Sequence, residues 1–171
     1  MIPSSRSCGS CSLCCKLMGI SELDKAPGAW CFNFRRGAGC GVYQDRPTEC
    51  RTFECEWLRE PRWPDDWRPD CAKFVMFTEE SGKRLKIVVD EATPGAWLSE
   101  PYYSRLNRMS QKAYEGQRLI ICIGQRRIVV FPEADIDLGV LSDDDKIISG
   151  YAEKDGRMVP YAHAMREDAA F

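Results

Sequence analysis

Histidine is almost missing from this chain: His163 is the only one among 171 residues. It stands near the C-terminus with no partner motif, and an isolated imidazole without a positioned partner reads as a surface or half-buried residue. No His-Glu-x-x-His, Gly-rich phosphate loop or nucleophile elbow is present either. Long apolar runs are also lacking. Nothing approaches the roughly 18 consecutive apolar residues of a membrane span, and residues 1–7 lack the apolar core of a signal peptide. Charges of the two signs are interspersed, with a net charge of only -2. No basic run masses Lys and Arg on one face, which argues against a nucleic-acid partner. The expectation is a cytoplasmic protein with neither membrane nor nucleic acid as partner.

Cysteine is what the chain does have. Eight of its ten cysteines, Cys8, Cys11, Cys14, Cys15, Cys31, Cys40, Cys50 and Cys55, fall in the first 55 residues, followed by Cys71 and Cys122. In a reducing compartment thiols stay free unless buried, catalytic or metal-bound, whereas in an exported protein they would form disulfides. Scattered core cysteines would not cluster like this. Residues 1–71 are rich in Gly, Pro, Cys and Arg and poor in Val and Ile; Leu13, Leu17, Met18 and Ile20 suit a short helix of a turn or two. With so few aliphatic residues this stretch is expected to need a staple, which thiolate–metal bonds would supply.

The texture changes after Cys71. Residues 73–78 and 85–90 read as strands with Ser81-Gly82 turning between them. Residues 98 to about 115 carry a loose helical spacing ended by Gly116. Residues 118–123 and 127–131 read as a hairpin around Gly124-Gln125, with Cys122 a small core residue in its apolar strand. Beyond Pro132 the signal weakens, leaving 147–148 and 158–159 as short edge strands around Asp155-Gly156. The expected architecture is α+β: an irregular, metal-stapled, cysteine-rich module (1–71) packed on a small antiparallel β-β-α-β-β layer (72–171), the two forming one unit. The acidic run Asp143-Asp144-Asp145 lacks an EF-hand pattern and reads as a solvated turn.

Cys8-x2-Cys11-x2-Cys14 lets one loop wrap a metal, because Cys-x2-Cys turns aim two sulfurs and several N–H groups at a common centre. Adjacent side chains diverge, so Cys14 and Cys15 are expected to serve one ion together poorly. Eight cysteines divide into two four-sulfur sites, with the pairing open. Arg46 and Arg51 lie among the ligands of the second block, Cys40 to Cys55; a buried Arg can donate to sulfur and offset the charge of about -2 on a four-thiolate zinc site. Their alternative is a surface position paired with Asp45 or Glu49. Cys71 fits either the cluster or the seam between the halves. Trp57, Trp63 and Trp67 are expected to cover the cysteine cage.

The order Cys-x2-Cys-x2-Cys-Cys, then Cys31, then Cys40-x2-Tyr43-x2-Arg46-Pro47-x2-Cys50-Arg51-x-Phe53-x-Cys55 resembles the bacterial CxxCxxCC cysteine-cluster family of zinc- or iron-chelating domains. The resemblance covers Cys8 to Cys55 and extends toward Trp57 and Arg68-Pro69-Asp70. It implies that the eight cysteines are the ligand pool, with Tyr43, Arg46 and Arg51 beside them. The expected function is metal binding without catalysis, with zinc as the metal and an unidentified protein as a further partner. The alternative is an iron–sulfur redox protein or enzyme. That reading draws on the ferredoxin-like loop and on the similar cluster of flagellin lysine methylases, although no cysteine here is followed by the proline of bacterial ferredoxins.

Overall fold

The structure, a computed structural model, describes residues 6–142 and 144–166. Asp143 of the acidic run and residues 1–5 lie outside the described residues. The chain mixes helices and strands and divides into two units: Met1–Phe77 with Val88–Trp97, and Thr78–Ile87 with Leu98–Phe171. The cysteine-rich unit thus takes in chain beyond Cys71.

In the first unit, α1 (Leu13–Leu17) is a short helix whose Leu13 and Leu17, four residues apart, bury one face. They pack with Val75 and Phe77, ringed by Met18, Phe53 and Val88. The chain reverses at Asp24, whose φ of 48° is left-handed, and Ile20 and Lys25 exchange backbone hydrogen bonds across the turn. A minimal ladder follows, β1 (Phe34–Arg35) against β2 (Gly39–Cys40), with Phe34 opposite Cys40. Pro47 stands at the N-cap of α2 (Thr48–Thr52). That helix is tied back reciprocally: Ser21 N–H donates to the Glu49 carboxylate at 2.8 Å, and Glu49 N–H to the Glu22 carboxylate at 3.0 Å.

Two more short helices, α3 (Glu56–Arg59) and α4 (Pro69–Ala72), bracket the tryptophans. Trp57, Trp63 and Trp67 are all buried. Trp63 and Trp67 lie 4.7 Å apart by ring centroid, Trp67 meets Phe74 edge-on at 5.8 Å, and Trp57 Nε1 donates to Pro64 O at 3.2 Å. Arg6 completes the cluster: its guanidinium stacks 4.5 Å from the Trp57 ring and donates to the carbonyls of Trp57, Glu60 and Trp63. So this unit has a core, which apolar periodicity concealed because large aromatics in irregular turns build it. Only Trp57 of the three faces the cysteines; the other two pack inward.

The strands β3 (Phe74–Glu79) and β4 (Arg84–Val89) stand close to where they are expected. Phe74–Phe77 is buried on both faces and β4 alternates, as a half-covered strand does. The turn between them holds Glu80 and Ser81 at positive φ. Strand order in the five-stranded sheet is β3-β4-β5-β6-β7.

In the second unit, α5 (Tyr102–Ser110) runs into a tighter 3-10 turn, Gln111–Glu115, which Gly116 ends at φ +83°. The expected hairpin is present as β5 (Arg118–Ile123) and β6 (Arg126–Val130), with Cys122 buried in it. Sequence reasoning missed β7 (Asp135–Val140), which pairs antiparallel with β6 and is pinned by an Arg126–Asp137 ion pair. The two short edge strands are instead a separate ribbon, β8 (Asp145–Lys154) and β9 (Arg157–Arg166), ten residues each. Asp155 and Gly156, at φ 52° and 73°, make the two-residue turn whose twist suits such a ribbon. Among the described residues no helix is long and apolar enough to cross a membrane.

Candidate metal centre

A cavity of about 430 Å³ in the first unit is lined by Cys8, Cys11, Cys14, Cys15, Cys31, Cys40, Cys50 and Cys55. Those are the eight cysteines of the sequence cluster. Cys71 does not line it and is exposed on α4; Cys122 is buried in β5, and His163 is exposed on β9. All ten cysteines are free of disulfides.

Each local fold turns its sulfur toward this space for an identifiable reason. Cys11 N–H closes a turn onto Cys8 O at 2.8 Å, with Gly9 at φ +51°. Cys14 and Cys15 occupy α1, and Cys31 N–H donates to Cys15 O at 2.9 Å, which anchors the next segment on the helix. Phe34 N–H donates to Cys31 O at 3.0 Å and pairs opposite Cys40, so one small hairpin carries both of those cysteines. Cys50 rides on α2. Cys55 opens α3, its carbonyl accepting from Leu58 and Arg59 N–H, and it packs with Cys14 against the Leu13–Leu17 face.

Neighbours on a helix point about 100° apart, yet the Cys14 and Cys15 thiols are hydrogen-bonded to each other. Side-chain rotation at the start of a short helix overcomes the divergence expected from sequence. Cys14 is the donor of this pair, and that bond, helped by burial, pushes its thiol up. Cys15, the acceptor, comes down to about 7, aided by Lys25 and Arg46 and opposed by burial. Burial pushes Cys11 up to about 12 and also raises Cys50 and Cys55. A thiophilic ion entering here must therefore displace protons from buried thiols, which makes binding pH-dependent.

The donor chemistry fits zinc or an iron–sulfur centre: soft thiols surround one space, and the only histidine is elsewhere. A closed ligand shell is not formed, since among the described residues no group of three or more His, Cys, Asp or Glu side chains is placed to hold one ion. With metal–sulfur bonds of about 2.3 Å, the sulfurs would have to draw inward from the cavity walls. Arg46 supplies a further fit. It lines the cavity, its Nε is buried with no hydrogen-bond partner, and its guanidinium lies 3.8 Å over the Tyr43 ring. Tyr43 in turn is hydrogen-bonded to Cys8 and Arg46; the nearby Cys8 charge pushes its phenol up. Arg51, by contrast, is exposed on α2 and does not line the cavity.

Two charged groups escaped the sequence reading. Lys25 is buried, and its ammonium donates to the carbonyls of Lys16 (3.1 Å), Met18 and Ala26 (3.1 Å), covering the C-terminal end of α1. It feels the charges of Cys31, Cys15, Cys14 and Cys50. The Asp70 N–H points to the Cys11 sulfur and its carboxylate accepts from the Cys11 thiol. Arg68 clamps that carboxylate at 2.6 and 2.7 Å. Burial opposes the Asp70 charge, but these bonds hold it below its ordinary value. The Arg68-Pro69-Asp70 triplet carried a hint of this; nothing marked Lys25. In comparisons with known proteins, no family model, no curated protein and no solved structure matches this chain.

Proposed function

We propose that this is a non-enzymatic metal-binding protein of the cytoplasm that holds zinc through cysteine thiolates. The observation carrying the reading is the convergence of all eight clustered cysteines on one cavity, with Cys71 and Cys122 left out. Buried Lys25 and half-buried Arg46 beside the sulfurs offset the charge that several thiolates would accumulate. Zinc held this way would act as a cross-link between the helical segment 13–17, the hairpin 34–40 and the turns 48–59.

An iron–sulfur centre is the second reading. Its support is the purely sulfur donor set together with a space of about 430 Å³, more than one tetrahedral ion needs. A cluster would supply electron transfer. Metal analysis with an absorption spectrum, on full-length protein purified anaerobically from cells given both metals, decides between them. Zinc and a colourless solution are expected. Iron with matching sulfide and a brown spectrum would replace zinc by the second reading, and protein that neither holds nor takes up either metal would overturn both.

A further inference from the structure

The register of the β8–β9 ribbon sorts its residues onto two faces, since directly opposed residues share a face and the faces alternate along each strand. Ile147, Ser149 and Tyr151 lie on the face turned to the rest of the second unit. There the Tyr151 ring stacks on Tyr114 at 4.5 Å between centroids and meets Phe131 edge-on, and its hydroxyl donates to the Glu133 carboxylate at 3.0 Å. The ribbon's carboxylates Asp145 and Glu153 are on this inner face too, with Arg166, which pairs with Asp145 at 3.7 Å. The outer face carries Lys146 at one end, Lys154 and Arg157 at the other, and Val159, Tyr161 and His163 between them, all exposed. No Asp or Glu lies on it. Lys154 and Arg157 make no ion pair among the described residues. The Tyr161 and His163 rings stand side by side, 22° from parallel with centroids 6.0 Å apart. Tyr161 leans across the ribbon over the bare backbone of Gly150, where a Cβ would meet its hydroxyl at 3.2 Å.

We propose that this outer face binds single-stranded nucleic acid, with phosphates on Lys146, Lys154 and Arg157 and bases on Tyr161 and His163. A strip of cations around exposed rings is what such a ligand requires: the charges hold the backbone, and the rings stack on bases of any sequence. Ten residues of strand give a strip about 30 Å long, enough for the shorter of the usual sites of about 4–16 nucleotides. The charge is complementary to a polyanion and wrong for a second copy of the chain, which would set three cations against three. Exposed Tyr and His, in place of the Trp, Phe and Leu of a membrane-lying surface, favour bases over lipid. Along the chain the three cations are interspersed with Asp145, Glu153 and Asp155, so no basic run shows in the sequence; only the register assembles the patch. The site stands apart from the cysteine cavity and does not rest on metal binding.

Fluorescence anisotropy of the full-length protein tests it, with labelled single-stranded RNA and DNA of one mixed 12-nucleotide sequence as probes. Binding of either supports the assignment, and their ratio tells which sugar the face takes. Affinity should fall with salt at a logarithmic slope of about -2, at about -0.7 per phosphate held. Lys154→Gln with Arg157→Gln should bring that slope to about -0.7. Tyr161→Ala should weaken binding by about 5–100-fold, whereas Tyr161→Phe, which keeps the ring, should stay within about twofold of wild type. Met158→Ala, exposed on the inner face near the turn, should also stay within about twofold. Ultraviolet cross-linking of wild-type protein, mapped by mass spectrometry, should place the oligonucleotide on Tyr161 and His163 whatever the variants do. Any of four results would overturn the proposal: no binding at about 0.1 mM protein in low salt, cross-links confined to other elements, a duplex or polyglutamate bound as tightly as the single strand, or binding to vesicles of anionic lipid alone.

Discussion

Replacing Lys25 with methionine keeps an unbranched side chain, one atom shorter, and removes its charge. Three carbonyls, those of Lys16, Met18 and Ala26, lose a charged donor. Such bonds are worth about 1.5–3 kcal/mol each, but the variant also escapes the desolvation that burial imposes on the ammonium, the main reason its pKa is lowered. A net loss of about 2–4 kcal/mol follows, a large share of the roughly 5–15 kcal/mol that holds a domain together. The second consequence concerns metal. A unit charge about 4 Å from a thiolate is worth about 4 kcal/mol at an effective dielectric constant of about 20, and screening and greater separation cut that for most of the four sulfurs. A drop in zinc affinity of about 10–100-fold is expected, the range typical when a partner of the ligands is removed. Competition against a chromogenic zinc chelator measures it, alongside urea unfolding of the metal-free variant. If Lys25→Met lost stability while its zinc affinity stayed within about twofold of wild type, the ammonium would be a helix cap alone and the electrostatic argument would be wrong.

Three other perturbations follow from the packing. Lys16 and Asp90 form an ion pair at 2.6 Å with side chains only 19% and 12% exposed. Burial opposes the Asp90 charge, but Lys16 and the Ala92 N–H outweigh it and hold the carboxyl below its ordinary value. Stability from this group is therefore complete above the unfolded pKa of about 3.9 and lost as pH falls through the folded value. Asp90→Asn should cost about 1–3 kcal/mol at neutral pH, with a urea midpoint that converges on wild type in strong acid; a constant gap would refute the linkage. Gly39→Ala meets both a φ of +83° and the Gly9 carbonyl, so it should cost well over the ~1 kcal/mol expected of Gly37→Ala, where φ is +77° but the space is open; thermal unfolding compares the two. Phe74→Ala, at 1% exposure, should lose about 3–5 kcal/mol, whereas Phe32→Ala, at 66%, should stay within about 0.5 kcal/mol of wild type.

The cysteine cluster was legible because thiol spacing is a local property: Cys-x2-Cys turns need no distant partner to bring sulfurs to one side. The 118–130 hairpin was legible for the same reason, with alternating side chains on either side of a two-residue turn. What escaped depends on partners far along the chain. In β7, Asp135, Asp137 and Gly139 dilute the apolar signal, and the strand exists because β6 offers an edge and Arg126 meets Asp137. The β8–β9 ribbon contains Gly150 and Pro160 and buries little, so a run of strand formers never accumulates, although the Asp155-Gly156 turn fixes the register of all ten pairs. Arg46 and Arg51 looked alike in sequence. One precedes Pro47 and turns in over Tyr43; the other follows Cys50 on α2, about 100° round the helix, and is exposed.

The aromatic core changes what metal removal should do. Residues 31–50 contribute no large apolar side chain to the core: Cys31 is the only buried apolar residue there, while Phe32 and Tyr43 are exposed. What holds this segment is a handful of backbone bonds, the Glu49–Glu22 exchange and the stacking of Phe34 on Trp30; on the zinc reading, metal–sulfur bonds would supply the rest. The Trp57, Trp63, Trp67 and Phe74 cluster, and Leu13 and Leu17 on Val75 and Phe77, need no metal to bury their surface. Chelation should therefore loosen residues 31–50 and spare the rest of the unit, in contrast to a small domain that folds only around its ion. Hydrogen exchange followed by mass spectrometry reads this directly: amides of 31–50 should lose protection by at least about tenfold, equal to about 1.4 kcal/mol of local stability, while amides of 74–77 and the tryptophan emission hold steady. If both regions lost protection together, the aromatic cluster would depend on metal after all, and the cysteines would be the keystone of the whole unit instead of the clasp on one flap.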